Sequence, residues 1–246
     1  MRIDVQWLKV QVLKANMALE RWLPLESNPD VLNKYAYGIG MPEAWKFVDV
    51  YGLDADLLAI VPQPVLAVVL LYPSTKNSEE ILLGTVSESA IKELYFMKQS
   101  DTIGNACGTV ALIHALANNT DTIDLKPAST LKDFLSRTKE ASPEERASIL
   151  ENCHDMGSAH EESAQEGQTD TPARDESVDY HFVAFIHKDG CLFEMDGMKG
   201  GPVYHSVTCE DSFLVDAAGV VKKFMERDPD ELNFTVMALV DSLSLL

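Results

Sequence analysis

The sequence predicts an α+β fold in which a central sheet is flanked by helices. Residues 65–72 form a continuously apolar run between prolines, which is typical of a strand buried on both faces. Two shorter apolar runs, 181–186 and 191–195, are separated by the turn Lys188-Asp189-Gly190 and should pair as a hairpin. Helical patterns with capping residues precede and follow these strands, which places helices around the sheet.

Two of the helices carry clear start signals. Asn28-Pro29-Asp30 supplies an N-cap, a proline at the first helical position and an acid in the first turn, and Ser142-Pro143-Glu144-Glu145 is a capping box. Residues 1–20 have no clear cap or stop and form an N-terminal extension, so we expect the folded domain to span 21–246. Helices are expected at 29–37, 54–60, 129–135, 142–152 and 210–227, and further strands at 203–207 and 234–240.

The chain is strongly acidic. Its 246 residues include 39 acidic and 20 basic side chains, for a formal net charge of −19. Nucleic acids and anionic membranes are polyanions, so this charge disfavours both as partners. It favours a partner that has a basic surface or tail.

The cysteines and the absence of targeting signals indicate the compartment. Four cysteines lack C-x-x-C spacing and a dense framework, which is typical of reduced thiols in a cytosolic protein. The first residues lack the apolar segment of a signal peptide, and no run approaches the roughly 20 apolar residues of a membrane span. We therefore expect a soluble cytoplasmic protein, for which the nucleus is the other compartment open to it.

Residues 153–178 show no periodicity. The segment is polar and acidic, and loops longer than about 12–15 residues are usually linkers or functional lids. Because short strands follow it directly, we interpret it as one long loop inside the domain rather than as a domain boundary.

Cys107 is the first candidate for chemistry. It stands where a Gly/Asn-containing turn gives way to an apolar helical pattern, which predicts that it lies in the first turn of a helix. Unpaired N–H groups and the positive end of the helix dipole favour a thiolate there, and a thiolate is the nucleophilic form of cysteine. The alternative is a small buried hydrophobic residue.

His181 and Asp196 are the candidate base and its partner. His181 opens the first strand of the hairpin and Asp196 follows the second, so the hairpin alone brings them side by side. His114 lies about two helical turns beyond Cys107, and His187 is at the far end of the hairpin. The alternative is a structural histidine with a satisfied partner. No His or Cys spacing matches a metal site, so no metal is expected.

These residues carry a resemblance to a known family. Gly104-Asn105-Ala106-Cys107-Gly108-Thr109, followed by Leu112-Ile113-His114-Ala115 and Asn118-Asn119, resembles the nucleophile segment of the short, single-domain ubiquitin carboxyl-terminal hydrolases. His181-Phe182 and Glu194-Met195-Asp196-Gly197 resemble the base and orienter segments. The resemblance covers about 21–240 in order, and further matches lie at 21–29, 47–52, 142–146 and 223–229.

The resemblance implies a papain-like cysteine hydrolase with a mostly antiparallel sheet and a knotted backbone. It implies a monomer without a cofactor that cleaves after the C-terminal glycine of ubiquitin, or of a close ubiquitin-like modifier. By matching position, Cys107 is the nucleophile, His181 the general base and then acid, and Asp196 the orienter. The Cys107 backbone N–H and a glutamine side chain would bind the oxyanion.

Substrate selection is also implied. By matching position, 153–178 is a crossover loop over the active site, which would restrict products to small adducts and short extensions. The acids Glu26, Asp30 and Asp49 lie in matched segments and are candidate contacts to the basic tail of ubiquitin. The alternative for each is a solvated surface acid.

The chain departs from the family at the oxyanion glutamine. In the family this glutamine stands six positions before the cysteine, whereas Gln99 stands eight before Cys107 and Asp101 six before it. Either Ser100-Asp101 are inserted and a bulged turn keeps Gln99 in place, or a carboxylate faces the developing anion. The second case predicts a ubiquitin-binding protein with impaired catalysis. A general cysteine protease is a third interpretation, which a crossover loop disfavours.

Overall fold

A seven-stranded antiparallel sheet forms the centre of the part of the chain that the structure describes. This computed structural model describes residues 21–169, 172 and 178–245; the predicted extension 1–20 lies outside them. The strand order is β1-β7-β2-β4-β5-β6-β3. The strands are β1 (Trp45–Asp49), β2 (Val65–Pro73), β3 (Thr85–Val86), β4 (Tyr180–Lys188), β5 (Cys191–Met195), β6 (Val203–Val207) and β7 (Thr235–Asp241).

Helices pack on both sides of this sheet, as the sequence predicts. None of the described helices is long and apolar enough to cross a membrane. The α-helices are α1 (Pro29–Ile39), α2 (Ala55–Ala59), α3 (Lys76–Glu80), α4 (Cys107–Ala117), α5 (Thr130–Thr138), α6 (Pro143–Glu151), α7 (His154–Ala164) and α8 (Phe213–Arg227), and two short 3₁₀ turns span Ala90–Lys92 and Ser242–Leu245.

The predicted start signals operate as expected. The Asn28 side chain accepts a hydrogen bond from the Asp30 N–H at 2.8 Å and so begins α1. Ser142 and Glu145 form the reciprocal capping box of α6, with distances of 2.8 and 3.2 Å. The predictions of five helices, of the central strand, of the hairpin and of the two further strands are confirmed, with shifts of a few residues at their ends.

Strand β2 separates two apolar cores. Ala67 and Val69 face the core that contains α1 and α4, whereas Val68 and Leu70 face the core under α8. This two-sided burial explains why the run is continuously apolar instead of alternating. Helix α4 packs on β4 within the first core and is buried nearly all round, so its first residue is held at a fixed place above the sheet.

The prediction of one loop over 153–178 is wrong in its first half. Residues 154–164 form helix α7, although Cys153 provides no side-chain cap and Gly157 weakens the helix. Contacts distant in sequence stabilise it, since His160 is fully buried and hydrogen-bonds to Thr109 and to the Leu23 carbonyl at 2.7 and 2.6 Å. Residues 165–178, which follow α7, form the crossover segment; of these, 165–169, 172 and 178 are described.

Candidate active site

Cys107 is the first residue of α4, as predicted, and it is half-buried. The turn before it uses backbone conformations that L-residues other than Asn rarely adopt, with φ of +55° at Gly104 and +24° at Asn105. Two hydrogen bonds hold this turn against the N-terminal stretch: Asn105 Nδ2 to the Trp22 carbonyl at 2.9 Å and the Trp22 N–H to the Ile103 carbonyl at 2.7 Å. The turn therefore fixes where the sulfur emerges.

The hairpin of β4 and β5 brings His181 and Asp196 together. His181 Nε2 lies 2.7 Å from Asp196 Oδ1, and the two residues are only 5% and 1% exposed. The same carboxylate oxygen accepts the Met198 N–H at 2.9 Å, which fixes its orientation. Because Nε2 is occupied by Asp196, the other ring nitrogen, Nδ1, is the one available to the thiol of Cys107.

The electrostatics of the three side chains favour an ion pair. Burial raises the pKa of the Cys107 thiol, but the hydrogen bond and charge of His181 outweigh this effect and lower the pKa below its usual value. Burial likewise lowers the pKa of His181, yet the bonds to Asp196 and Cys107 raise it above the usual range. The pKa of Asp196 is lowered, because the bond to His181 outweighs burial. Both shifts favour a thiolate beside an imidazolium over the neutral pair.

A cavity of about 190 Å³ lies at the sulfur. It is lined by Phe182 of β4, by Leu25 and Glu26 of the N-terminal stretch, and by Thr169 of the crossover segment. The cavity is mostly apolar, with the thiol as its reactive group.

Gln99 lies against the turn that carries Asp196. Its N–H donates to the Gly197 carbonyl at 2.9 Å, and a Cβ at position 197 would stand 2.8 Å from the Gln99 nitrogen, so only glycine permits this approach. The side-chain oxygen of Gln99 is buried and has no hydrogen-bond partner among the described residues. Asp101 is exposed to solvent, and Ser100 is buried. Of the two predicted alignments, this placement fits the bulged turn.

The three candidate contact acids occupy two places. Glu26 lines the cavity and accepts hydrogen bonds from the Thr169 N–H at 2.9 Å and hydroxyl at 2.6 Å. Burial raises the pKa of Glu26, but these bonds lower it more. Asp30 is exposed in the first turn of α1. The partial burial of Asp49 and the nearby negative charge of Asp30 together raise the pKa of Asp49. Asp30 and Asp49 therefore share one acidic surface patch.

Three other histidines are buried structural residues. His114 accepts the Met97 N–H at 3.0 Å, and burial lowers its pKa to about 4. His205 pairs with the buried Glu194 at 2.8 Å. His160, which was predicted to lie in a loop, is enclosed by contacts far away in sequence, and no local pattern indicated this. Among the described residues, no group of three His, Cys, Asp or Glu side chains is arranged to hold a metal ion.

A cysteine at a helix N-terminus, facing a histidine and an aspartate on an antiparallel sheet, defines the papain-like class of α+β cysteine hydrolases. Comparison with known proteins identifies the family. The sequence profile described as "Ubiquitin carboxyl-terminal hydrolase, family 1" matches residues 22–226. The chain belongs to the ubiquitin carboxyl-terminal hydrolase family of cysteine peptidases, which confirms the resemblance found in the sequence.

Relatives support the assignment over nearly the whole chain. A ubiquitin carboxyl-terminal hydrolase of Aplysia californica is 54% identical over 86% of this chain and 98% of its own. One from Drosophila melanogaster is 46% identical over 89% of this chain and 96% of its own. The catalytic domain of Trichinella spiralis UCH37, solved bound to ubiquitin vinyl methyl ester, shares the fold with a TM-score of 0.75 and 23% identity, over 92% of this chain and 98% of that one.

Proposed function

We propose that this protein is a deubiquitinating thiol hydrolase that releases small adducts or short extensions from the C-terminal glycine of ubiquitin. The observation that carries the proposal is the contact of Cys107, which lines the cavity, with the buried pair of His181 and Asp196. Family membership and the ubiquitin ligand of the Trichinella structure support ubiquitin as the partner, and a close ubiquitin-like modifier has the same chemistry. We further propose that the protein acts as a monomer, in the cytoplasm or nucleus, without a cofactor.

In the first half-reaction, the Cys107 thiolate attacks the carbonyl carbon of the terminal glycine. A carbon–sulfur bond forms, and the bond to the leaving amine or alcohol breaks as His181 donates its proton to the leaving group. The product is an acyl-enzyme. Asp196 holds the imidazole by Nε2, so that Nδ1 faces the sulfur and the leaving group throughout.

In the second half-reaction, water hydrolyses the acyl-enzyme. The now neutral His181 takes a proton from the water, the oxygen adds to the acyl carbon, and the Cys107 thiolate leaves. His181 is left protonated by the proton from the water, and ubiquitin is released as a carboxylic acid that gives its proton to solvent. The charge of Asp196 stabilises the imidazolium at the beginning and end of the cycle.

Both tetrahedral intermediates carry an oxyanion. We propose that the Cys107 N–H at the start of α4 and the Gln99 side-chain amide donate hydrogen bonds to it. The bond from Gln99 to Gly197 supports this assignment, because it holds Gln99 beside the turn that carries Asp196. The exposure of Asp101 supports this proposal over the alternative function, a ubiquitin-binding protein with impaired catalysis.

Substrate size is proposed to depend on the crossover segment. Thr169, Pro172 and Val178 line the cavity, so a leaving group must depart past them. The acidic net charge suits a basic ubiquitin tail, and Glu26 and the patch of Asp30 and Asp49 are the proposed contacts. A general protease for folded proteins is disfavoured if the crossover segment limits access in this way.

The proposal is tested with ubiquitin that carries a fluorogenic C-terminal amide. Wild type should release the fluorophore, and Cys107→Ser should abolish release while still binding ubiquitin, because a serine hydroxyl is not ionised by a neighbouring imidazole. Cys209→Ser, which removes an exposed thiol elsewhere, is the matched control and should be fully active. Undiminished turnover by Cys107→Ser would refute the proposal, and ubiquitin binding without turnover by wild type would favour the impaired-catalysis alternative.

A further inference from the structure

The segment between Gln99 and α4 is anchored at both ends. On one side the Gln99 N–H is bonded to the Gly197 carbonyl, and on the other the Ile103 carbonyl accepts the Trp22 N–H at 2.7 Å. Between these points the chain carries the two residues, Ser100 and Asp101, by which it exceeds the family spacing. Asp101 is exposed, whereas Ser100 is 9% exposed, so the excess chain turns outward immediately after Ser100.

Ser100 makes this outward turn through its hydroxyl. Its O–H donates to Glu151 Oε1, and its oxygen accepts the Thr102 N–H at 3.0 Å. A carboxylate can only accept, so the direction of the first bond is fixed, and a bond to an ionised acceptor is stronger than a neutral one. The hydroxyl is thus fully used, with one bond inside the turn and one to α6.

Helix α6 accepts hydrogen bonds from the chain on both sides of Gln99. The carbonyl of Pro143, the first residue of α6, accepts the Lys98 N–H at 3.1 Å, and Glu151, its last residue, accepts from Ser100. The helix itself gives no reason for a carboxylate at that end, since an acid at a helix C-terminus opposes the helix dipole. The contact with Ser100 supplies the reason.

We propose that Glu151 is a positioning residue for the reaction. Through Ser100 it turns the extra chain outward, so that Asp101 lies in solvent and Gln99 stays beside Gly197 with its amide directed at the oxyanion. Without this tether, Gln99 loses its fixed place and Asp101 is free to swing inward, where its charge has the wrong sign for the intermediate. The inference rests on the proposed role of Gln99.

The test measures kcat and KM on the fluorogenic ubiquitin amide. Glu151→Ala should lower kcat roughly tenfold with KM unchanged, since an oxyanion bond exists only in the transition state and its complete loss costs about 10²–10³. Glu151→Gln keeps an acceptor for the Ser100 hydroxyl and should recover most of the rate. Glu144→Ala removes an exposed acid of the same helix and is the matched control.

Thermal unfolding separates positioning from a merely structural role. Glu151→Ala should leave Tm unchanged or slightly raised, because it removes an acid that opposes the dipole of α6. The double variant Ser100→Ala/Glu151→Ala should be no slower than either single variant, because both act through one hydrogen bond. When Ser100 and Asp101 are deleted together, adding Glu151→Ala should cause no further loss.

Four results would overturn the inference. A drop in kcat that follows a drop in Tm, or one that persists undiminished in the deletion background, would make Glu151 a structural residue. If Glu151→Ala leaves kcat unchanged while Gln99→Ala lowers it by about 10²–10³, the role of Gln99 stands and only the positioning role of Glu151 is refuted. A silent Gln99→Ala would refute the oxyanion assignment in the proposed function.

Discussion

The two walls of the active site are held by different kinds of interaction. On the sheet side, His181 and Asp196 pair within a hairpin at the middle of the sheet, and both are almost completely buried. On the other side, Glu26 holds the crossover segment through Thr169 by hydrogen bonds that are exposed to solvent. Buried charged hydrogen bonds are strong, whereas exposed ones contribute little net stability. The chemistry is therefore on the rigid wall, and the control of access is on the weakly held one.

The largest effect is expected on the rigid wall, from Asp196→Asn. The amide keeps the shape but removes the charge that raises the pKa of His181, and it disturbs the tautomer that the imidazole must adopt. We expect kcat to fall by roughly 10²–10⁴, as losses of the orienting carboxylate in such triads do. Steady-state kinetics on the fluorogenic ubiquitin amide measure this; a fall of less than about tenfold would mean that Asp196 does not orient the base.

The pH profile of the same variant gives the sign of the electrostatic effect. In wild type, kcat/KM should fall at low pH as the Cys107 thiolate is protonated, and at high pH as the His181 imidazolium loses its proton. Because the pKa of the thiol is lowered and that of the imidazole is raised, the acid limb should lie below the ordinary pKa of a thiol and the alkaline limb above the ordinary pKa of an imidazole. In Asp196→Asn the pKa of His181 falls, so the alkaline limb should move to lower pH. An unmoved alkaline limb would contradict the ion-pair description.

A smaller effect is expected on the weakly held wall. Thr169→Val removes one of the bonds to Glu26 and leaves the carboxylate in place, whereas Glu26→Gln weakens both bonds and removes a candidate tail contact. If the bonds restrain the crossover segment, both variants should cleave ubiquitin with bulkier extensions several-fold faster, with turnover of the small amide nearly unchanged. Only Glu26→Gln should raise KM. Equal rates on bulky extensions in all three proteins would show that these bonds do not limit access.

The same contrast explains what the sequence could predict. The hairpin brings His181 and Asp196 together through adjacent residues, and the turn before Cys107 is local, so simple patterns were sufficient for both. Helix α7 was missed because its stability comes from His160 and its contacts to Thr109 and Leu23, 51 and 137 positions away. The place of Gln99 likewise depends on Gly197 and on the contact of its neighbour Ser100 with Glu151. Strand β1 has only five residues and is defined by its pairing with β7, near the other end of the chain.

The smallest effect is expected at the surface, from the acidic patch of Asp30 and Asp49. Exposed charge pairs contribute about 0.2–1 kcal/mol each, so Asp30→Asn and Asp49→Asn should each raise KM for ubiquitin substrates by only about 1.4- to 5-fold, with kcat unchanged. The loss should shrink as salt is added, because ions screen exposed charges over about 10 Å at 0.1 M. Asp56→Asn removes an exposed acid of α2, on the α8 side of the sheet, and is the control. If the control raises KM as much as the other two variants, ubiquitin responds to the net charge of −19 and not to this patch.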